Sequence, residues 1–365
     1  MSEKKQKIVI VAGDPSGDLH GAHLAQKIKE LDPSVELFSA AGENLSKESQ
    51  TIVNLTGVAV TGIFEVLTYF PKILKSFNLL VKRIDELRPD AVVLIDFPDF
   101  NLRLAKKLKA KGFRVIYYIS PQLWAWRKNR IKLVKKYVDR MLVIFPFEES
   151  FYLEHGVKAR YVGHPLLEAP EIKNAQNAPQ KEGNRIAFLP GSRAKEVKMH
   201  LPLLIEARRL LEDRDLAFTV LKHPELPDDL FEEARACGIA VSEDKNEVLS
   251  TSYLAISSSG TATLELALLH IPTVVIYKMG FLSWLILKNI VSIDFISMAN
   301  IIAQEKVFPE LIQYQATPRA IAAYCRKFID DKAFYAGTRE RLGKVRKNLG
   351  DAPASLNAAR AILKG

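Results

Sequence analysis

Ile8-Val9-Ile10-Val11-Ala12-Gly13-Asp14-Pro15-Ser16-Gly17-Asp18 sets an apolar run against a turn rich in glycine, proline and acid. The run superficially resembles a signal peptide because Lys4, Lys5 and Lys7 precede it. It is too short for one, however, and meets Gly13-Asp14-Pro15 at once, so it reads as a first β-strand. A helical pattern follows from about Gly21 to Leu31, then further strands at Val35–Ala41, Ala91–Ile95 and Arg114–Ile119, with longer helical stretches between them. Short β-rich runs alternating with helices predict a parallel sheet covered on both faces. Ligands in such sheets collect at the carboxyl ends of strands.

Residues 165–184 lack hydrophobic periodicity and are rich in Pro, Asn, Gln and Glu, which predicts an interdomain connection. The strand–helix alternation then restarts. Arg185–Leu189, Ala217–Leu221, Tyr253–Ser257 and Thr273–Tyr277 are expected strands, separated by helices near Leu201–Leu211, Asp228–Cys237 and Thr263–His270, and the stretch from Arg319 to Leu363 reads as helical. The expected organisation is therefore an α/β protein of two Rossmann-like lobes with an interdomain cleft and C-terminal helices. Its domains would be residues 1–164, a linker at 165–184, residues 185–345 and a last helix at 346–365. A chain of 365 residues is long enough for two such cores.

With 48% hydrophobic and 26% charged residues and a mean hydropathy of zero, disorder is excluded as a class. The formal net charge of +10 asks for an anionic partner, either nucleic acid, a phosphorylated substrate or a membrane surface. Residues 101–140 hold thirteen Lys or Arg and a single acid, Asp139, more than the whole excess. Cys237 and Cys325 show no CxxC or Cys/His spacing, which argues against a disulfide scaffold or zinc site and fits a reducing cytoplasm. The apolar stretch from Gly280 to Met298 is broken by Lys288 and Asp294, so membrane attachment is expected from one side only.

Four stretches could carry chemistry. Ser257-Ser258-Ser259-Gly260-Thr261-Ala262-Thr263-Leu264-Glu265 places hydroxyls and a glycine between a strand and a helix, where N–H groups can hold a diphosphate and Glu265 could accept both ribose hydroxyls. A well-capped helix would look the same. Leu189-Pro190-Gly191-Ser192-Arg193 brings an arginine, suited to a nucleotide phosphate, to another strand end, where the bland alternative is a solvated turn. Asp96-Phe97-Pro98-Asp99-Phe100-Asn101 closes an apolar strand; a partly desolvated Asp96 could take a proton from a sugar hydroxyl, while Asp99 or Asn101 could cap the next helix. In the opening turn the glycines recur at every fourth position and make no GxGxxG, which disfavours a dinucleotide and suggests close backbone approach to a substrate or the facing domain. His20 and His23 lack a metal motif and read as capping or packing residues.

Two stretches suggest contact with lipid. Phe64, Val66, Leu67, Phe70, Ile73, Leu74 and Phe77 fall largely on one helical face, beside Lys72 and Lys75, and the alternative is a helix packed on the sheet. Trp124-Ala125-Trp126-Arg127-Lys128-Asn129-Arg130 pairs tryptophan with cations, a mixture favoured at headgroups. The same mixture could stack on nucleic acid, but no nucleic-acid motif accompanies it.

Taken in order, Val11-Ala12-Gly13-Asp14-Pro15-Ser16-Gly17-Asp18, Asp96-Phe97-Pro98-Asp99-Phe100-Asn101, Ser120-Pro121-Gln122-Leu123-Trp124-Ala125-Trp126-Arg127, Leu189-Pro190-Gly191-Ser192-Arg193 and Ser259-Gly260-Thr261-Ala262-Thr263-Leu264-Glu265 resemble the motif set of lipid-A-disaccharide synthases across essentially the whole chain. The resemblance implies an inverting, metal-independent glycosyltransferase of the two-lobed GT-B type, with no cofactor. Its donor would be UDP-2,3-diacylglucosamine and its acceptor 2,3-diacylglucosamine 1-phosphate. Asp96 and Arg193 would be catalytic. Gly191, Ser192, Arg193, Ser259, Gly260, Thr261 and Glu265 would bind nucleotide, joined by Asn300 and Gln313, which align with a family stretch near it. Where the family often has Gly-Glu in the first turn, this chain has Gly13-Asp14, so the third catalytic candidate, Asp14, is one methylene shorter. The family is peripherally membrane-bound, which makes the Phe64 to Leu80 stripe an expected docking surface on the cytoplasmic face, and a homodimer is compatible with the reading. The rivals are another two-lobed UDP-sugar enzyme, such as a 2-epimerase, and a non-catalytic peripheral membrane or nucleic-acid-binding protein.

Overall fold

The computed structural model describes residues 5–55, 63–125, 128–175, 183–280, 284 and 294–364, with residues 63–72 and 128 described by backbone alone. The chain divides into two compact units. One comprises Met1–Leu167 together with Ala352–Gly365, and the other Glu168–Asp351.

The first unit is built on a parallel sheet of seven strands: β1 (Lys7–Ala12), β2 (Glu36–Ala41), β3 (Gln50–Asn54), β4 (Ala91–Ile95), β5 (Val115–Tyr118), β6 (Arg140–Val143) and β7 (Ala159–Tyr161), in spatial order β3-β2-β1-β4-β5-β6-β7. Strand direction alternates side chains between two cores, as the period of two requires. Val9, Val11, Val92, Leu94, Val115 and Tyr117 face one, and Ile8, Ile10, Val93, Ile95 and Ile116 face the other. Both faces are buried, which is why β1 and β4 read as unbroken apolar runs. The first face is covered by α3 (Ile63–Leu87), α4 (Pro98–Ala110) and α5 (Ile131–Tyr137), and the second by α1 (Pro15–Leu31), beside the short α2 (Glu43–Ser46).

The first helix starts six residues earlier than the sequence pattern suggests. Asp14 caps it by accepting the Gly17 N–H at 2.9 Å, and Pro15 sits at its first position, where a missing N–H costs nothing. Gly17 and Gly21 are therefore helical, and the close approach they permit is to the first unit's own framework. A Cβ on Gly21 would lie 2.8 Å from Leu45 and 3.3 Å from Ile95, and one on Gly17 would lie 2.4 Å from the Asp14 carboxylate.

The second unit repeats the plan with six parallel strands: β8 (Arg185–Leu189), β9 (Ala217–Leu221), β10 (Ala240–Ser242), β11 (Leu254–Ser258), β12 (Thr273–Tyr277) and β13 (Glu310–Ile312), ordered β10-β9-β8-β11-β12-β13. Its helices are α7 (Pro170–Ala175), α8 (Ala194–Arg209), α9 (Glu232–Ala236), α10 (Lys245–Thr251), α11 (Thr261–Leu268), α12 (Met298–Ala303), α13 (Pro318–Asp330) and α14 (Lys332–Leu349). The stretch expected to be a linker carries a 3-10 turn at Pro165–Glu168 and α7, whose Ile172 is fully buried; residues 176–182 lie outside the described residues.

The last helix, α15 (Ala354–Leu363), belongs to the first unit. Ala358, Ala359, Ala361 and Ile362 are fully or almost fully buried in the core that also holds Ala25 and Ile28 of α1. Small side chains at 358, 359 and 361 let the helices approach closely. Arg140 and Arg114 donate to the Ala361 and Ile362 carbonyls at 3.0 and 3.4 Å, capping the last turn with positive charge. Gly163, at φ 108°, lets the returning chain pass: a Cβ there would stand 2.1 Å from the Ala352 carbonyl oxygen. Replacing Gly163 with Ala is therefore expected to destabilise the protein by more than about 2 kcal/mol, combining overpacking with a disfavoured φ. Urea denaturation checks this, and an unchanged midpoint would count against the tight return.

Candidate active site

In the first unit the sheet order reverses beside β1, whose partner on that side is β4, with Ala12 opposite Ile95. The turns that leave these two strands are thus neighbours, and they carry Asp14 and Asp96. Asp96 and Phe97 both adopt left-handed backbone, φ 41° and 49°, a conformation that costs a non-glycine residue free energy and is tolerated best by Asp and Asn. Two side chains hold the bend. Asn101 Nδ2 donates to the carbonyls of Ile95 and Asp96 at 3.0 and 2.8 Å, and the fully buried Tyr117 donates its hydroxyl to the Asp96 carbonyl at 2.5 Å. Gly13 leaves room for the Phe97 ring, which would sit 2.3 Å from any Cβ at that position. The Asp96 carboxyl is consequently pushed up to about 6, chiefly by burial and secondarily by the Asp14 charge. Asp14 is raised as well, mainly by its own burial.

Neighbouring polar residues resolve into support. Asp99 pairs with Arg130. Asp18 is buried and accepts three backbone N–H groups, from Gly42, Asn44 and Leu45 at 2.9, 2.8 and 3.2 Å, at the start of α2. Burial depresses His20 to about 4 and His164 to about 3, so both are neutral at ordinary pH. The sequence reading missed Glu148, in α6 (Pro146–Glu154). Its buried carboxylate accepts from Ser120 Oγ at 2.7 Å, Trp124 Nε1 at 3.2 Å and the Phe145 N–H at 3.2 Å. Burial lifts it to about 7. Ser120 and Trp124 are thereby anchored internally; Trp126 and Arg127 lie outside the described residues.

The second unit repeats the arrangement. β8 pairs with β11, Leu189 opposite Ser257, so Gly191-Ser192-Arg193 and Ser259-Gly260-Thr261 leave adjacent strand ends. Both turns line one cavity of about 650 Å³, with Lys222, Glu243 and Lys245. Gly191 at φ 128° packs against Glu196, and Arg193, largely exposed, reaches Glu196 at 3.3 Å. Buried His200 fixes the loop from behind. Its Nδ1 lies 2.7 Å from the Pro190 carbonyl and its Nε2 accepts the Lys278 N–H at 3.0 Å, an arrangement that suits the neutral ring favoured by burial. Ser259 Oγ donates to Ile296 O at 2.7 Å, and Thr261 lines the cavity. Glu265, one turn into α11, is buried and bound to Lys245 at 2.6 Å.

Asn300 and Gln313 serve other contacts. Asn300 is fully buried; it donates to Phe308 O and Glu310 at 2.9 and 2.8 Å and accepts the Phe308 N–H at 2.8 Å. Gln313 exchanges two bonds with the backbone of Met279, at 2.9 and 3.1 Å. Neither lines the cavity, and Glu265 is not among its lining residues either. Of the apolar stripe, Phe64, Val66, Leu67 and Phe70 have side chains outside the described residues; Ile73 packs against the core, and Leu74 is 48% exposed. Among the described residues no cluster of His, Cys, Asp and Glu could hold a metal ion, and no helix is long and apolar enough to cross a membrane.

The sequence model of lipid-A-disaccharide synthetases matches residues 8–352. The chain belongs to this family of glycosyltransferases. It is 37% identical to the lipid-A-disaccharide synthase of Coxiella burnetii (strain CbuG_Q212), covering 99% of this chain and 98% of the relative. It is 39% identical to that of Koribacter versatilis (strain Ellin345), covering 98% of each. Among solved structures, a UDP-GlcNAc 2-epimerase from Neisseria meningitidis bound to UDP-GlcNAc superposes with a TM-score of 0.66 at 14% identity, over 99% of this chain and 100% of that one. The glycosyltransferase of kitacinnamycin gives 0.63 at 13%, over 99% of each. These likenesses establish the fold alone, two parallel-sheet α/β units of GT-B type. Epimerases share it, so it is the synthase family's sequence pattern that separates this chain from them.

The raised Asp96 carboxyl has a consequence for stability. A folded pKa above the unfolded one stabilises the protein below pH about 4, and that contribution disappears as pH rises through about 6. Ionised Asp96 thus costs the fold on the order of 2–3 kcal/mol at pH 8. Asp96→Asn keeps the left-handed backbone accessible and removes the charge. It is expected to raise the urea midpoint at pH 8, with the gain shrinking towards pH 5; equal stability of variant and parent at both values would contradict the burial argument.

Proposed function

We propose that the protein transfers 2,3-diacylglucosamine from its UDP carrier to the 6-hydroxyl of 2,3-diacylglucosamine 1-phosphate, giving the β-1,6-linked disaccharide 1-phosphate and UDP. Family membership supports this reading, and the observation that carries it is the pairing of Asp14 and Asp96 at one strand-order reversal, with Asp96 poised near pH 6. Above that pH the Asp96 carboxylate accepts the proton of the 6-hydroxyl as its oxygen attacks the donor's anomeric carbon. The bond from that carbon to the diphosphate oxygen breaks, its electron pair leaves with UDP, and the anomeric configuration inverts. Arg193 and the Ser259-Gly260-Thr261 turn meet the charge that grows on the departing diphosphate, and Glu265 accepts the ribose hydroxyls. Asp14 tunes Asp96 through its charge.

The enzyme works at the inner face of the cytoplasmic membrane, where both lipid substrates reside. Supporting this are the exposed Leu74 on α3 and, also in the first unit, a concavity of about 740 Å³ lined by Arg103, Lys106, Lys107, Lys109 and Lys136 with Phe77 and Tyr137. Cations framed by aromatic rings suit anionic headgroups.

Incubating purified protein with the two acylated sugars and detecting disaccharide and UDP by mass tests the reading; conversion of UDP-GlcNAc to its 2-epimer instead would replace it. Asp96→Asn is expected to lower transfer by about 10³-fold or more with UDP affinity unchanged, and kcat/KM should fall on the acid side with a limb near pH 6. Full turnover by that variant would remove the assigned base. Arg193→Ala should weaken UDP binding and turnover together. Leu74→Ser should reduce co-sedimentation with anionic liposomes, and unchanged partitioning would argue against that face.

A further inference from the structure

Each cation on the wall of the second unit's cavity is matched to a carboxylate, but the three pairs differ in kind. Lys222 is only 7% exposed and is held from two sides, by Glu243 at 2.6 Å and Asp228 at 3.2 Å. Arg193 is largely exposed to solvent at the N-cap of α8, with Glu196 of that helix's first turn at 3.3 Å. Lys245 is different. Its side chain is 45% exposed and its ammonium sits 2.6 Å from Glu265, whose side chain is 11% exposed. The Lys245 backbone is fixed at the start of α10, where Asp244 caps the helix by accepting the Glu247 N–H at 2.9 Å. Its four-carbon stem is left to move.

Glu265 is not part of the cavity's lining; it is joined to the wall through Lys245, and it can accept ribose hydroxyls only by giving up the ammonium that now occupies it. A buried carboxylate stripped of its partner is costly, and two hydroxyl donors would replace that partner. The displaced ammonium needs a new anion, and the cavity that Lys245 lines is where one can reach it. We propose that Lys245 makes this cavity selective for nucleoside diphosphates over nucleosides, by exchanging Glu265 for the diphosphate when the ribose arrives. The exchange rests on the reading of this cavity as the UDP-sugar site. A nucleoside without phosphate must evict Lys245 and offers it nothing in return. A diphosphate compensates the eviction with a charge-assisted contact.

The bland account is that the pair merely ties α10 to α11, in which case its loss would affect every ligand alike. Titrating uridine, UMP and UDP into the full-length protein by calorimetry, with Lys245→Met and Lys245→Arg beside the parent, separates the two. Lys245→Met should weaken UDP by about tenfold or more, the value of one charge-assisted hydrogen bond, weaken UMP less, and leave uridine unchanged or tighter. Lys245→Arg should keep most of the preference for UDP. A uniform loss across the three ligands, or an undiminished preference for UDP in Lys245→Met, overturns the exchange. Failure of the parent protein itself to bind UDP would instead overturn the nucleotide reading of the cavity.

Discussion

The hydrogen-bonded ladder between β1 and β4, repeated between β8 and β11, is the constraint on which the functional residues depend. In each sheet the strand order turns about that pair, so the loops leaving the two carboxyl ends cannot be covered by the helices that follow them in opposite directions. Gly13-Asp14 and Asp96-Phe97 are adjacent for this reason, as are Gly191-Ser192-Arg193 and Ser259-Gly260-Thr261. Nothing in the local sequence brings these segments together; the parallel pairing does.

The two reversals are then specialised by burial. In the first unit a left-handed bend at Asp96, pinned by Asn101 and Tyr117, holds a carboxyl out of full contact with water and beside a second acid. That environment favours taking up a proton. In the second, Arg193 and Lys245 remain solvent-accessible around hydroxyls and glycine, which favours holding an anion. One topology thus presents two opposite electrostatic environments, because the side chains at the strand ends differ.

Much of this architecture is legible in the sequence, since β1, β4, β8 and β11 are buried on both faces and so appear as short apolar runs ending in functional turns. The helix over Pro15–Leu31 was harder to delimit because its first turn holds proline, glycine and an acid, which also suit a loop; only the Asp14 cap decides it. Glu148, His200, Lys245 and Glu310 escaped notice for a shared reason. Each is an ordinary polar residue within a helix or strand, or at its start, and its partners are remote in sequence: Ser120 and Trp124, Pro190 and Lys278, Glu265, Asn300. Asn300 and Gln313, which the family resemblance ties to the nucleotide, bond within the fold to Phe308, Glu310 and Met279, contacts that the local sequence does not announce.

The return of α15 to the sheet where the chain began bears on how the protein is made. The second unit is continuous in sequence and is complete once residue 351 has emerged from the ribosome. The first unit, although synthesised earliest, lacks part of its interior until Ile362 appears, leaving Ala25 and Ile28 of α1 without their helical cover. Closing that core joins the two ends of the chain, a contact of high sequence separation whose loop-closure cost the first unit must meet before its interior is complete.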